Sequence, residues 1–320
     1  MTAVFLDRAS LDRDDLDFAP LLATRPDWQL HDETTPGEVA ARIAAAEVVV
    51  SNKVVLDEAL LAMAPALKLI AIAATGTNNV DLAAAARRGI AVCNIRRYAT
   101  PSVVQHVFAL LLALTRRLSD YQRAVARGDW QHSQQFCLLD YPIRELGGLT
   151  LGVVGYGELG RTVAKTAEEA FGMRVLIAQR PGGEPQAGRI ALQELLPQVD
   201  VLSLHCPLTM DNRGLIGAAE LALMRSDAIL LNTARGGLVD EAALAAALLQ
   251  GRLGGAGIDV LAEEPPRDNS PLLNSDIPNL IVTPHIAWAS RQSRQRLLDQ
   301  LAENIAAFMA GRPQNLITAD

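Results

Sequence analysis

The chain has 320 residues, which is long enough for two domains. Of these residues 50% are hydrophobic and 20% are charged, a composition typical of a globular protein and not of a disordered chain. Its net charge of −7 and the lack of a basic run argue against a nucleic-acid partner. No apolar run is longer than residues 107–114, a length far short of the ~20 residues that cross a bilayer.

The first hundred residues alternate short apolar segments with helical patterns, an order typical of a parallel, doubly wound sheet. Strands are predicted at residues 3–6, 28–31, 47–51, 67–74 and 90–93. Helices are predicted between them, at residues 16–23, 38–46, 57–64 and 82–88. A complete α/β unit is therefore expected in this part of the chain.

A long helix is predicted over residues 101–127, where apolar residues recur at helical spacing. Pro101 suits its first turn, Thr100 is a candidate cap, and Gly128 ends the pattern. We expect this helix to form part of the bridge between two α/β domains. The next residues, 129–148, contain several aromatic side chains but no clear period. They predict an extended arm whose aromatic residues pack at a contact between subunits.

A glycine-rich turn follows a buried strand predicted at residues 151–154, and a helix is predicted at 161–171. The turn reads Gly155-Tyr156-Gly157-Glu158-Leu159-Gly160, the G-x-G-x-x-G pattern of a dinucleotide-binding fold. The first glycine permits the bend, the second lets a pyrophosphate approach, and the third lets the helix pack close to the strand. The helix N-terminus also favours the phosphates.

The remaining residues continue the same alternation. Further strands are predicted at residues 173–178, 201–206, 228–232, 256–260 and 280–283, with helices at 192–196, 218–224, 241–250 and 291–310. The last helix is amphipathic and follows the last strand, so it is expected to pack on the N-terminal unit. The prediction is an α/β protein with two doubly wound parallel-sheet domains. A Rossmann dinucleotide-binding domain (99–286) is inserted in a flavodoxin-like substrate domain (1–98 and 287–320).

The end of the second strand of the dinucleotide domain indicates which cofactor binds. An NAD-specific fold carries a carboxylate about 20 residues past the last glycine, where it binds the ribose 2′-hydroxyl. This chain has Gln179 and then Arg180. Gln179 is neutral, and the planar guanidinium of Arg180 suits a 2′-phosphate. These residues predict a preference for NADP, with NAD possible; the alternative is a solvated arginine in an enzyme that accepts either cofactor.

Three polar residues that follow predicted strands suit the reduction of a 2-keto acid, because open α/β sheets bind ligands at the carboxyl ends of their strands. Arg235 offers two hydrogen bonds to a carboxylate and polarises the carbonyl. His285 can give the proton, because imidazole titrates close to neutral pH. Glu264 can bind the other ring nitrogen and favour the protonated form.

These segments resemble those of the D-isomer-specific 2-hydroxyacid dehydrogenases, and the resemblance covers nearly the whole chain. The matching residues are 155–160, 205–209, 232–236, 259–260, 264–265 and 283–285. The resemblance implies that Arg235, Glu264 and His285 are catalytic, and it selects Glu264 over Glu263 because the family's glutamate directly precedes proline. It also implies that the cofactor lies along Cys206, Pro207, Thr233, Ala234 and Asp259.

The resemblance further implies a split substrate domain and a homodimer joined through the nucleotide domains. The segment 74–81 matches the loop that holds the substrate carboxylate, with Thr75 and Gly76 as binding residues. Asn52 and Trp288, which are also predicted to bind the substrate, lie in segments most similar to glycerate dehydrogenases, also called hydroxypyruvate reductases. Trp288 is predicted to line the substrate pocket, or alternatively to pack in the core or at an interface. Two cations, Arg96 and Arg97, depart from the family pattern and are expected to lie at a solvated hinge rather than on a substrate phosphate.

The predicted function is the reduction of a small 2-keto acid by NADP(H) or NAD(H), with hydroxypyruvate or glyoxylate converted to D-glycerate or glycolate. The alternatives are a family member acting on D-lactate-like or phosphoglycerate-like substrates, and a dinucleotide-sensing corepressor without catalysis. Three well-separated cysteines lack metal-ligand spacing and predict free thiols in a reducing compartment. No signal peptide is evident, so we expect a cytoplasmic protein with neither a metal nor a membrane partner.

Overall fold

The computed structural model of the protein describes residues 2–180, 183–184, 186–267 and 270–318. The chain forms two compact units, Met1–Ala99 with Ala289–Asp320, and Thr100–Trp288. Among the described residues, no helix combines the length and the apolar character needed to cross a membrane.

The strands in chain order are β1 (Thr2–Phe5), β2 (Trp28–Leu30), β3 (Ala46–Ser51), β4 (Leu69–Ile72), β5 (Ala91–Cys93), β6 (Thr150–Val154), β7 (Arg174–Ala178), β8 (Arg189–Ile190), β9 (Val201–Leu204), β10 (Ile229–Asn232), β11 (Gly255–Ile258) and β12 (Leu280–Val282). The α-helices are α1 (Ala19–Leu22), α2 (Val39–Ile43), α3 (Glu58–Ala62), α4 (Leu82–Arg87), α5 (Thr100–Thr115), α6 (Leu118–Arg127), α7 (Glu158–Phe171), α8 (Leu192–Leu195), α9 (Ala218–Leu223), α10 (Glu241–Leu249) and α11 (Arg291–Met309).

The first unit is built on a five-stranded sheet in the order β2-β1-β3-β4-β5. Every neighbouring pair is parallel, and the order is that of a flavodoxin-like fold. All residues of β3 and β4 are buried, as expected for central strands of a parallel sheet covered on both faces. The predicted fold class of this unit is confirmed.

Helix α11 packs on the first unit, against α1 and β4. Its apolar residues Leu297, Leu298 and Leu301 are fully buried, which accounts for the amphipathic pattern of the sequence. Arg294 at the start of the helix holds both carboxylate oxygens of Asp15 at 2.7 Å. The unit is therefore completed by a segment from the end of the chain.

The second unit contains a seven-stranded sheet in the order β12-β11-β10-β9-β6-β7-β8, again with all neighbours parallel. The direction in which strands are added reverses between β6 and β9, which makes this edge the switch point where Rossmann folds bind dinucleotides. The predicted Rossmann class is confirmed. Strand β8 is not among the predicted elements, because it has two residues and therefore no period to detect.

The single helix predicted over 101–127 is wrong: α5 ends at Thr115 and α6 begins at Leu118. Arg117 between them has a φ of 54°, a left-handed conformation that interrupts a right-handed helix. The Thr115 hydroxyl donates to the carbonyl of Leu111, and the Arg117 guanidinium binds Asp120. Apolar periodicity continues across the break, so the sequence pattern does not reveal it.

Residues 129–148, all of which the structure describes, form no helix or strand. Tyr141 packs edge-on against Tyr121 of α6, with ring centroids 5.2 Å apart. In contrast, Phe136 and Leu139 are 89% and 82% exposed. The predicted arm therefore lies partly on α6 and leaves an apolar surface uncovered in the monomer.

Candidate active site

The predicted functional residues of the second unit follow its strands at one edge of the sheet. Arg235 follows β10, Asp259 and Glu264 follow β11, and His285 follows β12, and these three strands are neighbours. The glycine turn follows β6, two strands further along the same edge. Because all strands are parallel, their carboxyl ends place these residues in a row on one side of the unit.

The three glycines of the turn have three different physical roles. Gly155 has a φ of 91°, and a Cβ there would lie 2.6 Å from the backbone of Cys206. A Cβ on Gly160 would lie 2.0 Å from the carbonyl oxygen of Gly155, whereas one on Gly157 would meet nothing within 4 Å. Gly155 therefore forms the bend, Gly160 allows α7 to approach the strand, and Gly157 keeps open the space above the backbone.

Helix α7 begins at Glu158, inside the glycine motif and three residues earlier than predicted. The N–H groups of its first turn therefore lie at the glycine turn, where a helix N-terminus favours an anion. The carboxylate of Glu158 accepts a 2.6 Å hydrogen bond from the hydroxyl of Thr100. Thr100 is the first residue of α5, so its hydroxyl links the starts of two helices instead of capping its own.

The Gln179 side chain at the end of β7 is engaged by the adjoining loop. Its amide nitrogen donates to the carbonyl oxygens of Gly183 and Glu184, at 3.3 and 2.5 Å. Its amide oxygen accepts the backbone N–H of Gln186 at 3.2 Å. Gln179 therefore orders the loop, and these bonds use the groups that were predicted to contact the cofactor.

Arg180 is exposed beside this loop. Arg189 on β8 is a second cation in the region, and it was not predicted from the sequence. Its guanidinium carbon lies 5.5 Å from the ring centroid of Tyr156 in the glycine turn, within the range of a cation–π contact. The sequence carries no signal for Arg189. Its position near the glycine turn depends on the pairing of β8 with β7, which a two-residue strand does not reveal in the sequence.

Two segments between the glycine turn and the catalytic candidates are ordered by side-chain bonds. The Asn232 amide donates to the carbonyl of Arg235 at 2.9 Å, and its oxygen accepts the N–H of Ala234 at 3.1 Å. Asn212 donates to the carbonyl of Pro207 at 2.7 Å.

Burial raises the pKa of the Cys206 thiol. This thiol is therefore neutral at pH 7 and is not a nucleophile.

His205 is the other histidine close to the glycine turn. Its Nε2 lies 2.8 Å from the hydroxyl of Ser203, and desolvation of the ring lowers the pKa of His205 to about 4. The imidazole is therefore neutral at pH 7 and has no proton to give in that range. This excludes His205 as a competing general acid.

His285 and Glu264 form a close pair. Nδ1 of His285 lies 2.6 Å from Oε2 of Glu264, and Oε1 of Glu264 accepts the N–H of Leu261 at 2.9 Å. The competing acid, Glu263, instead faces Arg267, with 3.3 Å between its carboxylate oxygen and Nε. The pair sets the orientation of the His285 ring and assigns Nδ1 to the carboxylate.

Asp259 anchors the loop on which His285 is carried. Its Oδ1 accepts the hydroxyl of Thr283 at 2.6 Å and the N–H of Ile286 at 2.9 Å, and its Oδ2 accepts the N–H of Ala287 at 2.9 Å. His285 has a φ of 54°, which is uncommon for a residue other than glycine. The bonds to Asp259 on either side stabilise this conformation.

The Asp259 carboxyl is 1% exposed and is charged in the folded state. Burial alone would raise its pKa, but hydrogen bonds from His106 and Thr283 and from the backbone at 286 and 287 together lower it below the ordinary value. The anion is therefore present throughout the neutral range. The family resemblance implies only that Asp259 contacts the cofactor, and the sequence carries no signal for this anchoring role.

Arg235 and Trp288 complete the set of predicted residues in this unit. Arg235 is exposed, and one guanidinium nitrogen donates to the carbonyl of Ala234 at 2.7 Å. The indole N–H of Trp288 donates to the carbonyl of His285 at 2.9 Å. Arg235 thus keeps most of its donors for another partner, and Trp288 adds a further bond that orders the His285 loop.

The first unit holds the other predicted substrate residues, on two neighbouring strands. Asn52 follows β3 and is 5% exposed; its amide donates to Ser10 and its backbone N–H to Asp7. Thr75 follows β4 and donates to the carbonyl of Ile95 at 2.8 Å. Asn52 is therefore a buried residue that holds its own turn.

Thr75 is exposed, and Gly76 is partly exposed beside it. The Asn79 amide donates to the Ser51 hydroxyl and to the carbonyl of Val54, at 3.3 and 3.1 Å. These two bonds bring together the loops that follow β3 and β4. They leave the 75–76 segment accessible at the carboxyl edge of this sheet.

The two cations that depart from the family pattern also lie in the first unit. The guanidinium of Arg96 donates to Asn94 at 3.3 Å and to the carbonyl of Leu316 at 3.4 Å. Arg97 has a φ of 58°. Arg96 is therefore engaged in holding the C-terminal segment against β5, and this does not support a role in binding a substrate phosphate.

The residues along the edge of the second sheet fit a dinucleotide. The open space at Gly157 and the N-terminus of α7 suit a pyrophosphate. At the other end, Thr233 Oγ1 is buried and has no hydrogen-bond partner within the part of the chain that the structure describes. A buried hydroxyl without a partner is costly, and a polar group of a bound nicotinamide would satisfy it.

Comparison with known proteins gives the family. Residues 108–287 match the "D-isomer specific 2-hydroxyacid dehydrogenase, NAD binding domain". The chain is 50% identical to a glycerate dehydrogenase of Methylorubrum extorquens over 99% of this chain and 98% of that protein. It is 37% identical to a hydroxypyruvate reductase of Blautia hydrogenotrophica over 99% of both chains. The crystal structure of the TT0316 protein from Thermus thermophilus is 36% identical, with a TM-score of 0.87 over 99% of this chain and 100% of that one.

The fold and the strand-end residues define an oxidoreductase that uses a nicotinamide dinucleotide. The chain belongs to the D-isomer specific 2-hydroxyacid dehydrogenase family, and the predicted resemblance is confirmed. Its activity is that of an NAD(P)-dependent D-2-hydroxyacid dehydrogenase.

Proposed function

We propose that this enzyme reduces hydroxypyruvate or glyoxylate, giving D-glycerate or glycolate, and that it prefers NADPH. The observation that carries the proposal is the His285–Glu264 pair at 2.6 Å, in the same unit as Arg235 and at the same edge of its sheet. The substrate class is supported by the relatives named glycerate dehydrogenase and hydroxypyruvate reductase.

The proposed chemistry divides between three side chains. Arg235 binds the substrate carboxylate through two parallel hydrogen bonds and draws electron density from the carbonyl. When bound beside the substrate, NADPH would supply the hydride for the carbonyl carbon. His285 gives the proton from Nε2 to the carbonyl oxygen, because its Nδ1 is engaged by Glu264. Glu264 holds the ring in this orientation and stabilises its positive charge before the transfer.

The preference for NADPH is supported by the residues at and beyond the end of β7. No carboxylate occupies position 179, and the Gln179 amide is used by the loop. Arg180 is exposed and Arg189 lies over Tyr156, so two cations are available for a 2′-phosphate. Thr233 and the N-terminus of α7 would hold the nicotinamide end and the pyrophosphate.

Other parts of the proposal rest on the resemblance. The domain assignment, with a dinucleotide domain at 99–286 inside a substrate domain, is retained as a prediction. So are the substrate-binding roles of Asn52, Thr75, Gly76 and Trp288. A homodimer is proposed because Phe136 and Leu139 on the arm are almost fully exposed, and a second subunit would cover them.

Steady-state kinetics with a panel of keto acids test the substrate and the cofactor together. We expect kcat/KM to be highest for hydroxypyruvate or glyoxylate with NADPH, and lower for pyruvate and with NADH. A higher kcat/KM for pyruvate would show a lactate-type enzyme instead. Equal values with NADPH and NADH would remove the proposed cofactor preference and leave the substrate assignment intact.

A further inference from the structure

Helix α5 contacts both ends of the loop that carries His285. The hydroxyl of Ser102 donates to the carbonyl of Ala287 at 2.7 Å. One turn further along the same face, Nε2 of His106 lies 3.0 Å from the hydroxyl oxygen of Thr283. Thr283 and Ala287 are each two residues from His285, so the helix holds the loop on both sides of it.

The direction of the hydrogen bonds follows from the groups involved. Thr283 has one hydroxyl hydrogen, which it donates to Oδ1 of Asp259 at 2.6 Å. Its oxygen is therefore the acceptor toward His106, and Nε2 of His106 must carry a hydrogen. The same Nε2 lies 3.4 Å from Oδ1 of Asp259. His106 thus acts as a donor at the start of a chain that runs through Thr283 to the buried carboxylate.

The chain of hydrogen bonds ends on the backbone around His285. Asp259 accepts the N–H groups of Ile286 and Ala287, and the N–H of His285 donates to the Asp259 carbonyl at 2.8 Å. A carboxylate that rotates would lose both backbone bonds at once. Because His285 has a left-handed φ, its ring direction depends on this backbone being held.

We propose that His106 is a positioning residue for the acid–base step, acting through Thr283 and Asp259 on the orientation of His285. The inference rests on the proposed role of His285 as the general acid. His106 orients the Thr283 hydroxyl, which keeps the Asp259 carboxylate turned toward the 286–287 backbone, and the His285 ring then remains on Glu264. His106 itself does not touch the reacting atoms.

The test compares His106→Ala and His106→Gln with the wild-type enzyme. We expect His106→Ala to lower kcat by about 10-fold, by analogy with the loss of ~10–100-fold when a partner that orients a metal-binding histidine is removed. The KM for the keto acid and the Kd for NADPH, measured by fluorescence titration, should stay within about twofold, because neither ligand loses a contact. His106→Gln should restore most of kcat, because its amide can donate to Thr283.

Two further variants distinguish positioning from a general loss of packing. Gln105 is the exposed neighbour on the same helix, so Gln105→Ala should leave kcat and the melting temperature unchanged. In a Thr283→Val background, His106→Ala should cause little additional loss, because the chain of hydrogen bonds is already broken. If His106→Ala does not fold, the His106→Gln and Thr283→Val variants still decide the question.

The outcomes separate this inference from the proposed function. A fully active His106→Ala enzyme would overturn the positioning role, and so would a loss of kcat that His106→Gln does not restore. A lower melting temperature with unchanged kcat would have the same meaning. If His285→Gln retains full turnover, the proposed acid–base role fails, whatever His106→Ala does.

Discussion

Nδ1 of His285 lies 2.6 Å from Oε2 of Glu264, although the two residues follow different strands of the sheet. The second carboxylate oxygen of Glu264 is held by the backbone of Leu261, so the carboxylate is fixed from both sides. This arrangement directs one ring nitrogen to the carboxylate and leaves Nε2 for the proton transfer proposed above. A histidine with one occupied nitrogen is suited to move a proton at the other.

Replacing His285 by glutamine should abolish most of the turnover. We expect kcat to fall by at least about 10²-fold, the usual contribution of a positioned general acid. NADPH binding, measured by fluorescence, should be unchanged, because the glycine turn is intact. Glu264→Gln should lower kcat less, since it keeps the shape but loses the charge beside the ring. Wild-type kcat in His285→Gln would contradict the assignment.

Removing the cation after β7 should affect the two cofactors differently. Arg180→Ala is expected to raise the KM for NADPH by ~10-fold or more, the effect of losing one charge-assisted contact to phosphate, and to change the KM for NADH little. Arg189→Ala should act in the same direction. The control is Arg174→Ala, an exposed arginine at the other end of β7. Equal changes for NADPH and NADH would exclude Arg180 from 2′-phosphate recognition.

Alanine substitutions at Gly160 and Gly157 should have different effects, the first on folding and the second on cofactor binding. A methyl group at Gly160 would lie 2.0 Å from a backbone oxygen, whereas one at Gly157 meets nothing within 4 Å. Gly160→Ala should therefore lower the melting temperature strongly or prevent folding. Gly157→Ala should keep the wild-type melting temperature and weaken NADPH binding, because the methyl group occupies the space of the pyrophosphate. An unchanged NADPH Kd in Gly157→Ala would place the pyrophosphate elsewhere.

The ion pair between Arg294 of α11 and Asp15 should make the stability of the folded state depend on pH. The two hydrogen bonds from Arg294 lower the pKa of Asp15 to about 2, against an opposing effect of desolvation. A lowered pKa stabilises the folded state above the ordinary value of about 4, and this contribution is lost as the pH falls toward 2.

Asp15→Asn should therefore melt at a slightly lower temperature than the wild type at pH 7, with the difference shrinking below pH 4. Melting curves at intervals from pH 7 to pH 3 would measure this. Glu33→Gln is the matched control, since Glu33 is exposed in the same unit and should show no such trend. A difference that is constant or grows on acidification would contradict the assigned direction of the pKa shift.

Local pattern was sufficient for the α/β class and for every strand in the described residues except β8. Strands of a parallel sheet are short, apolar and separated by helices, so they are visible in sequence even though their pairing is not. The glycine spacing also has local causes, a bend at Gly155 and close approach at Gly160. Strand ends identify candidate residues such as Arg235 and His285, because every carboxyl end of a parallel sheet faces the same way.

Contacts between distant segments were not visible in this way. The break at Arg117 is a backbone conformation inside a continuous apolar pattern. The amide of Gln179 is used by a loop that folds back on it, and strand β8 is too short to have a period. Glu263 and Glu264 are neighbours in sequence, and their different partners, Arg267 and His285, are a matter of geometry.

By itself, the sequence determined the α/β class, the dinucleotide turn and the chemical types of the catalytic candidates, because these depend on residue type and short-range spacing. Only the tertiary structure decided which side chains meet: His106 and Ser102 on the His285 loop, and Arg189 on Tyr156. The reason is that hydrogen bonds and cation–π contacts require atoms to approach within a few ångströms. The packing of helices and strands distant in the chain sets those approaches.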